Sequence, residues 1–181
     1  MRKQTIDEKT LIEAGIEILK TQGIEAVNMR SIARFSNVSL GSIYNYYKDK
    51  DELLLAIVKS IWLNITLDMN IETESFQKAV SSLFDSIEEG NRIYPDFIKI
   101  HFTSFTDISL PRKTMEEIIE NIKQSLLTVL AEDKNVRHVF NSDFKEVDFV
   151  NFIFENMMTL LLRNEGKDYL LKIIEKLLYE D

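Results

Sequence analysis

The chain has 181 residues, 45% of them apolar and 29% charged, with no cysteine and a formal net charge of −8. That makeup is ordinary for a globular domain, and it excludes a disulfide framework, a thiol nucleophile and a thiolate metal site. No uncharged apolar stretch approaches the roughly 18 residues a membrane span requires.

The opening "MRKQTIDEKT" runs straight into an amphipathic pattern without an apolar signal core, so a cytoplasmic protein is expected. The charge is unevenly spread. Residues 1–50 hold eight Lys/Arg against six Asp/Glu, whereas residues 51–181 hold fourteen against twenty-four. The N-terminal third is thus the only part a polyanion would tolerate, and the acidic remainder would be held away from it.

Five glycines and two prolines leave few breakers, and the apolar spacing is helical almost throughout. Nine helices are expected. The first, 5–22, carries Ile6, Leu11, Ile18 and Leu19 on one side and ends at Gly23, suited to a left-handed cap. A short helix over 29–35 has Asn28 as its N-cap, and another follows over 39–46. A long helix over 50–70 begins among Asp49, Asp51 and Glu52, charges that suit a helix N-terminus. Further helices are expected over 74–90, 94–108, 112–131, 144–164 and 167–179, with Pro95 and Pro111 in first-turn positions. "DKNVRHVFNSD", 133–143, is the longest candidate loop.

The two short helices, separated by "SNV", have the proportions of a helix-turn-helix. Ile32, Ala33, Val38 and Ile43 are spaced to form the small core between them, and Asn37 falls at the turn, where a residue tolerant of positive φ is wanted. The solvent-facing positions of the second helix are then Leu40, Ser42, Tyr44, Asn45 and Tyr46. Gly41 has no side chain to hold the backbone away from a duplex. Three tyrosines and two lysines crowd into residues 44–50. Tyr hydroxyls and Lys ammonium groups donate to phosphate oxygens, so the cluster reads as a phosphate clamp around a reading helix.

The stretch "GIEAVNMRSIARFSNVSLGSIYNYYKDKDELL" resembles the DNA-binding signature of the TetR family of bacterial transcriptional regulators. The match lies at Ile32-Ala33, Val38-Ser39, Gly41, Tyr44, Tyr46-Tyr47 and Lys50-Asp51-Glu52-Leu53. The chain departs from the family pattern where Asn28 replaces Thr, Ser36-Asn37 replaces Ala-Gly, and Ile43 replaces Leu. Tyr47 stands where the family usually has Phe, so its ring is expected in the core with its hydroxyl at the rim. The resemblance covers about 50 residues and implies an all-α chain. A helix-turn-helix domain, 1–49, would be joined by a long helix to an effector-binding and dimerisation domain, 50–181.

Within that frame Asn28, Tyr44, Tyr46, Lys48 and Lys50 are the phosphate candidates. Arg30, Leu40, Ser42 and Asn45 are the base-edge candidates, since Asn can pair with adenine and Leu can meet a thymine methyl.

Beyond residue 70 apolar stripes at helical spacing are first of all core. The resemblance implies that a small-molecule effector sits between the fourth and seventh helices. The expected lining is Trp62, Ile65, Met69, Phe97, His101, Phe105, Met115, Ile118 and Ile122. Nothing is spaced with His101 as a metal site requires, and no metal or cofactor is expected. Helix 144–164 is apolar nearly all round, so it needs cover from its own domain and from something else. With 167–179 it suggests a four-helix interface across a two-fold axis, through Ile153, Met157, Leu161, Leu170, Ile174 and Leu177.

The sequence therefore reads as a homodimeric regulator, a repressor that leaves a palindromic double-stranded DNA operator when an apolar effector binds. An all-helical enzyme or carrier is the alternative from another class, against which stand the missing nucleophile arrangement and phosphate-loop motif. A dimer acting through protein contacts is the other.

Overall fold

The computed structural model describes residues 6–67, 75–95, 97–98 and 109–180, the side chains of 66–67 and 109–115 excepted. Eight helices and no strand occur among them: α1 (Glu8–Gln22), α2 (Met29–Phe35), α3 (Leu40–Tyr44), α4 (Lys50–Leu67), α5 (Phe76–Ile93), α6 (Ser109–Glu132), α7 (Glu146–Leu162) and α8 (Asp168–Leu178). A 3-10 turn, Ile24–Ala26, links α1 to α2. The helix expected over 94–108 lies mostly outside the described residues.

Two compact units divide the chain, one formed by 1–64 with 90–115 and the other by 65–89 with 116–181. Most of α4 lies in the first of these units, for a packing reason. Leu53, Ile57, Ile61 and Trp62 of α4 are completely buried, and Ile57 lies over Gly15 of α1. A Cβ on Gly15 would come within 2.2 Å of the Ile57 Cδ1 and 3.3 Å of the Ile32 Cδ1. The absent side chain lets α1 and α4 approach closely, so most of α4 belongs with the N-terminal helices. In the same unit the Lys20 ammonium sits 5.1 Å from the Tyr94 ring centroid, and Phe97 packs on Trp62 at 5.1 Å.

Helix ends are closed locally. Asp7 accepts from the Thr10 amide at 2.8 Å at the start of α1. Gly23 ends α1 with φ 80 and ψ 171. The positive φ requires glycine as expected, but the ψ is extended rather than left-handed helical. α7 ends in a Schellman motif around Asn164 (φ 55), with Glu165 N–H donating to the Leu160 carbonyl at 2.9 Å and Asn164 N–H to Leu161 at 3.2 Å.

The second unit is organised around an aromatic cluster and a buried carboxylate. Phe76, Phe140, Phe144 and Phe149 pack with ring centroids 5.4–5.9 Å apart. Asp133, 5% exposed, accepts from the Phe76 amide at 2.9 Å and the Tyr179 hydroxyl at 2.6 Å. It thereby caps the N-terminus of α5 from a distance and ties it to the end of α8. The expected loop 133–143 is held too. Arg137 N–H donates to the Leu178 carbonyl at 2.9 Å, and its guanidinium donates to the Lys176 and Leu177 carbonyls at 3.3 and 3.2 Å. A cation on the last carbonyls of a helix suits the dipole there. Lys167 pairs with Asp85, and its ammonium lies 5.9 Å from the Phe84 ring centroid.

Five of the six residues expected to pair across a two-fold axis on α7 and α8 turn inward in this unit. Ile153, Met157, Leu161, Leu170 and Ile174 are all buried within the chain itself, at 4% exposure or less. Only Leu177 of the six is exposed, and it has Val147, Phe152, Leu162 and Tyr169 for company. A helix apolar on all sides does not reveal which stripe faces its own core, and the larger one does so here.

Burial pushes the Asp133 carboxyl up, but hydrogen bonds from Tyr179, Phe76 and Asn135 outweigh it and hold the group below its ordinary 3.8. A depressed folded value means that its contribution is complete above the ordinary carboxylate range and is lost as pH falls through the lowered value. Chemical denaturation should therefore show stability dropping below about pH 4. Asp133→Asn should cost about 1–3 kcal/mol at pH 7 and show a weaker acid dependence than the parent chain.

Candidate nucleic-acid interface

α2 has seven residues and α3 five, too few for either to persist alone in water. Their ends are accordingly closed by side chains. The Asn28 Oδ1 accepts from the Arg30 and Ser31 amides at 3.1 and 3.0 Å, and the Ser31 Oγ returns the bond by accepting from the Asn28 amide at 3.0 Å. This is a capping box with Asn and Ser in place of the commoner pair. The Asn28 side-chain Nδ2 also donates to the Ala26 carbonyl at 3.2 Å.

α2 ends in a second Schellman motif. Val38 N–H donates to the Ala33 carbonyl at 2.9 Å and Asn37 N–H to Arg34 at 3.2 Å, with Asn37 at φ 53, the conformation its place in the turn predicted. Ser39 then caps α3, accepting from the Ser42 amide at 3.1 Å, and the two serine hydroxyls share a bond of 2.8 Å. Ile32, Ala33 and Ile43 are buried between the helices as expected, and Val38 is half-buried.

The outer surface of this motif carries most of the candidates. Arg30, Tyr44, Asn45, Tyr46, Lys48 and Lys50 are exposed, Tyr44 at 55%; Leu40, Ser42 and Asn28 are half-buried. Two of the expected roles are narrowed by internal bonds. Asn28 spends its oxygen and one amide hydrogen on capping, and the Tyr46 hydroxyl donates to the Ile6 carbonyl. Tyr47 is 2% exposed with its hydroxyl 3.3 Å from the Glu8 Oε1, so its ring is core and its hydroxyl lies at the rim. Burial, with the Glu8 carboxylate next, pushes that phenol far up, and it stays neutral.

The acidic residues among the lysines also find a purpose. Asp49 Oδ1 accepts from the Asp51 and Glu52 amides at 3.1 and 2.9 Å, and Glu52 Oε2 accepts from the Lys48 amide at 2.6 Å. Two carboxylates are thus turned onto the start of α4, where the helix dipole favours negative charge.

Sequence reasoning missed Arg34. It is exposed one turn beyond Arg30 on α2, and the i, i+4 spacing that sets both on one side was the available signal. Phe35, 53% exposed beside it, was given no role either.

Of the expected effector lining, Trp62 and Phe97 touch and are fully buried. Ile65 and Ile122 are buried and Ile118 half-buried, in the other unit. Met69, His101, Phe105 and the Met115 side chain lie outside the described residues.

Residues 11–57 match the family model described as bacterial regulatory proteins, tetR family. Among curated relatives, YuxN of Bacillus subtilis (strain 168), an uncharacterised HTH-type transcriptional regulator, is 27% identical over 128 residues, 66% of this chain and 42% of YuxN. HdnoR of Paenarthrobacter nicotinovorans, an HTH-type nicotine-responsive transcriptional repressor, is 35% identical over 57 residues, 31% of this chain and 29% of HdnoR. The chain thus spans less than half the length of either. In fold it is similar to BioQ in the crystal structure with its natural double-stranded DNA operator. The TM-score is 0.65 at 17% identity, covering 88% of this chain and 86% of BioQ.

Gly41 generates a test of the surface. Its φ is ordinary, and an added Cβ would meet only the Ser39 Oγ, at 3.8 Å. Among the described residues nothing requires glycine at this second position of α3, and glycine inside a helix costs up to about 1 kcal/mol relative to alanine. Gly41→Ala should raise the thermal midpoint while weakening DNA binding at least tenfold, or about 1.4 kcal/mol, in parallel melting and gel-shift measurements.

Proposed function

Because its helix-turn-helix domain is that of the TetR family of bacterial regulators, we propose that the chain is a sequence-specific DNA-binding transcriptional regulator. It works as a homodimer, and it is a repressor released from its operator by a small, largely apolar effector. The observation that carries this reading is the exposed face of α3, where Tyr44 and Asn45 stand beside Lys48 and Lys50 on a firmly capped motif.

Tyr44, Lys48 and Lys50 grip phosphates and set the register, with Asn28 contributing its remaining amide hydrogen. Asn45, Leu40, Ser42 and Arg30 meet base edges. Two copies related by a two-fold axis read a palindrome whose half-sites lie about 34 Å apart or a modest stretch beyond. Because the chain covers less than two thirds of its curated relatives, its operator, effector and assembly are this reading's own claims. A nicotine-responsive repressor among the relatives supports repression and a small-molecule effector.

Selection from random duplexes should yield a palindromic site. Lys50→Ala should weaken all sequences alike and flatten the dependence of log K on log salt by about one unit. Asn45→Ala should relax preference at one base position, and an unchanged selection profile would remove its base-reading role.

The pairing surface is best supplied by the residues α7 and α8 leave exposed: Phe152, Leu162, Tyr169 and Leu177. A two-fold contact must present the same patch from both copies. Sedimentation should show monomers for Phe152→Glu and Leu177→Glu at micromolar concentration. Ile153→Glu, which places a charge in the protomer's own core, should give unfolded protein instead.

For the effector, Trp62 is the only tryptophan and its ring lies against Phe97, so its emission is a specific reporter. Only a ligand that binds the released conformation better can cause release. Apolar compounds that dissociate the operator complex should change Trp62 emission. Phe105→Ala should weaken that response and leave operator affinity without effector within about twofold, a few tenths of a kcal/mol.

A further inference from the structure

α3 is closed at its N-terminus by Ser39, but among the described residues the Asn45 side chain makes no cap bond at the other end. The two residues that follow supply what is missing. Tyr46 N–H and Tyr47 N–H both donate to the Ile43 carbonyl, at 2.9 and 3.0 Å, and both phenols turn toward the start of α1. Tyr46 donates its hydroxyl proton to the Ile6 carbonyl, 40 residues away in sequence. The Tyr47 hydroxyl lies 3.3 Å from the Glu8 carboxylate. A tyrosine hydroxyl has a single proton to give. With it committed to Ile6, Tyr46 offers only lone pairs outward, and a phosphate, which also has only acceptor oxygens, gains nothing from them. Tyr44, 55% exposed, makes no such bond among the described residues.

We propose that Tyr46 is a positioning residue rather than a phosphate contact. With Tyr47 it latches the C-terminal end of the reading helix to the start of α1, and so fixes the angle at which that helix is presented. The proposal rests on the DNA-binding reading above and assigns these two tyrosines a different part in it. A helix of five residues is pinned at one end by its cap and at the other by side chains reaching outside it. Without the second anchor it would pivot about the Ser39 end, and the side chains near its exit, Tyr44 and Asn45, would swing most. The latch holds in the free protein, so the cost of ordering is met before DNA arrives.

The test uses the full chain, with and without a duplex carrying the selected site. In DNA-free protein, Tyr46→Phe should speed amide hydrogen exchange at Tyr46 and Tyr47, and it should weaken operator binding roughly threefold to tenfold, the range for one lost hydrogen bond. Tyr47→Phe, which keeps the buried ring, should show the same two signs. Tyr44→Phe should weaken binding and leave the exchange of the free protein unchanged. If Tyr46→Phe weakens binding with exchange unaltered, Tyr46 is a phosphate contact and the proposal is overturned. Faster exchange with operator affinity intact makes the bond merely structural and overturns it too. A parent chain that selects no sequence fails the DNA-binding reading itself, a result distinct from either.

Discussion

Short helices cannot support themselves, and α2 and α3 are the two shortest among the described residues. With a nucleation cost spread over so few hydrogen bonds, each exists only because its ends are satisfied and its buried face is matched. The Asn28–Ser31 box, the Asn37 turn and the Ser39 cap close three of the four ends with local bonds. The fourth, at the exit of α3, has the Tyr46 and Tyr47 amides on the Ile43 carbonyl, and the phenols of the same two residues reach the start of α1. Beneath them, Gly15 lets Ile57 of α4 close on α1 beside Ile32, and Ile32, Ile43 and Ile57 are all fully buried. The exposed residues of α3 inherit their positions from that packing.

The chemistry of this surface shows how an acidic chain can present a basic site. Lys48 and Lys50 stand among Asp49, Asp51 and Glu52, which by charge count alone would cancel them. Two of those carboxylates are occupied with backbone amides at the start of α4. Their charge is partly offset by the helix terminus, while the lysines remain exposed at the exit of α3. The local field depends on orientation, which composition does not contain. Gly41 lies on the same surface, and among the described residues an added Cβ there would meet only the Ser39 Oγ, at 3.8 Å.

The second unit solves a different problem with the same means. The stretch 133–143 has no helix, yet its polar groups close the ends of helices that do. Asp133 serves the start of α5 and Arg137 the end of α8. An isolated carboxylate at 5% exposure would be costly. Three donors on it, from Phe76, Asn135 and Tyr179, reverse that cost. Fixing this stretch also brings Phe140 and Phe144 onto Phe149 and roofs the aromatic cluster. The Asn164 turn at the end of α7 repeats the device that ends α2, with asparagine again supplying the positive φ.

How much of this was legible in the sequence depended on the range of the interaction. Helix periodicity, the Asn28 cap, the positive φ at Asn37 and the Ile32–Ala33–Ile43 core follow from contacts within a few residues, and those the sequence alone determined. The family signature is of the same local kind, since it spans one contiguous motif. Three matters were decided only by tertiary structure. Tyr46 reads as a phosphate donor until the Ile6 carbonyl, 40 residues earlier, takes its proton. Ile153, Met157 and Leu161 read as a surface for a partner until the protomer's own core covers them. Asp133 reads as a loop residue until Phe76 and Tyr179, far away in sequence, converge on it. In each case the residue type is compatible with two environments. The choice was made by partners that only the folded chain brings within hydrogen-bonding or van der Waals reach.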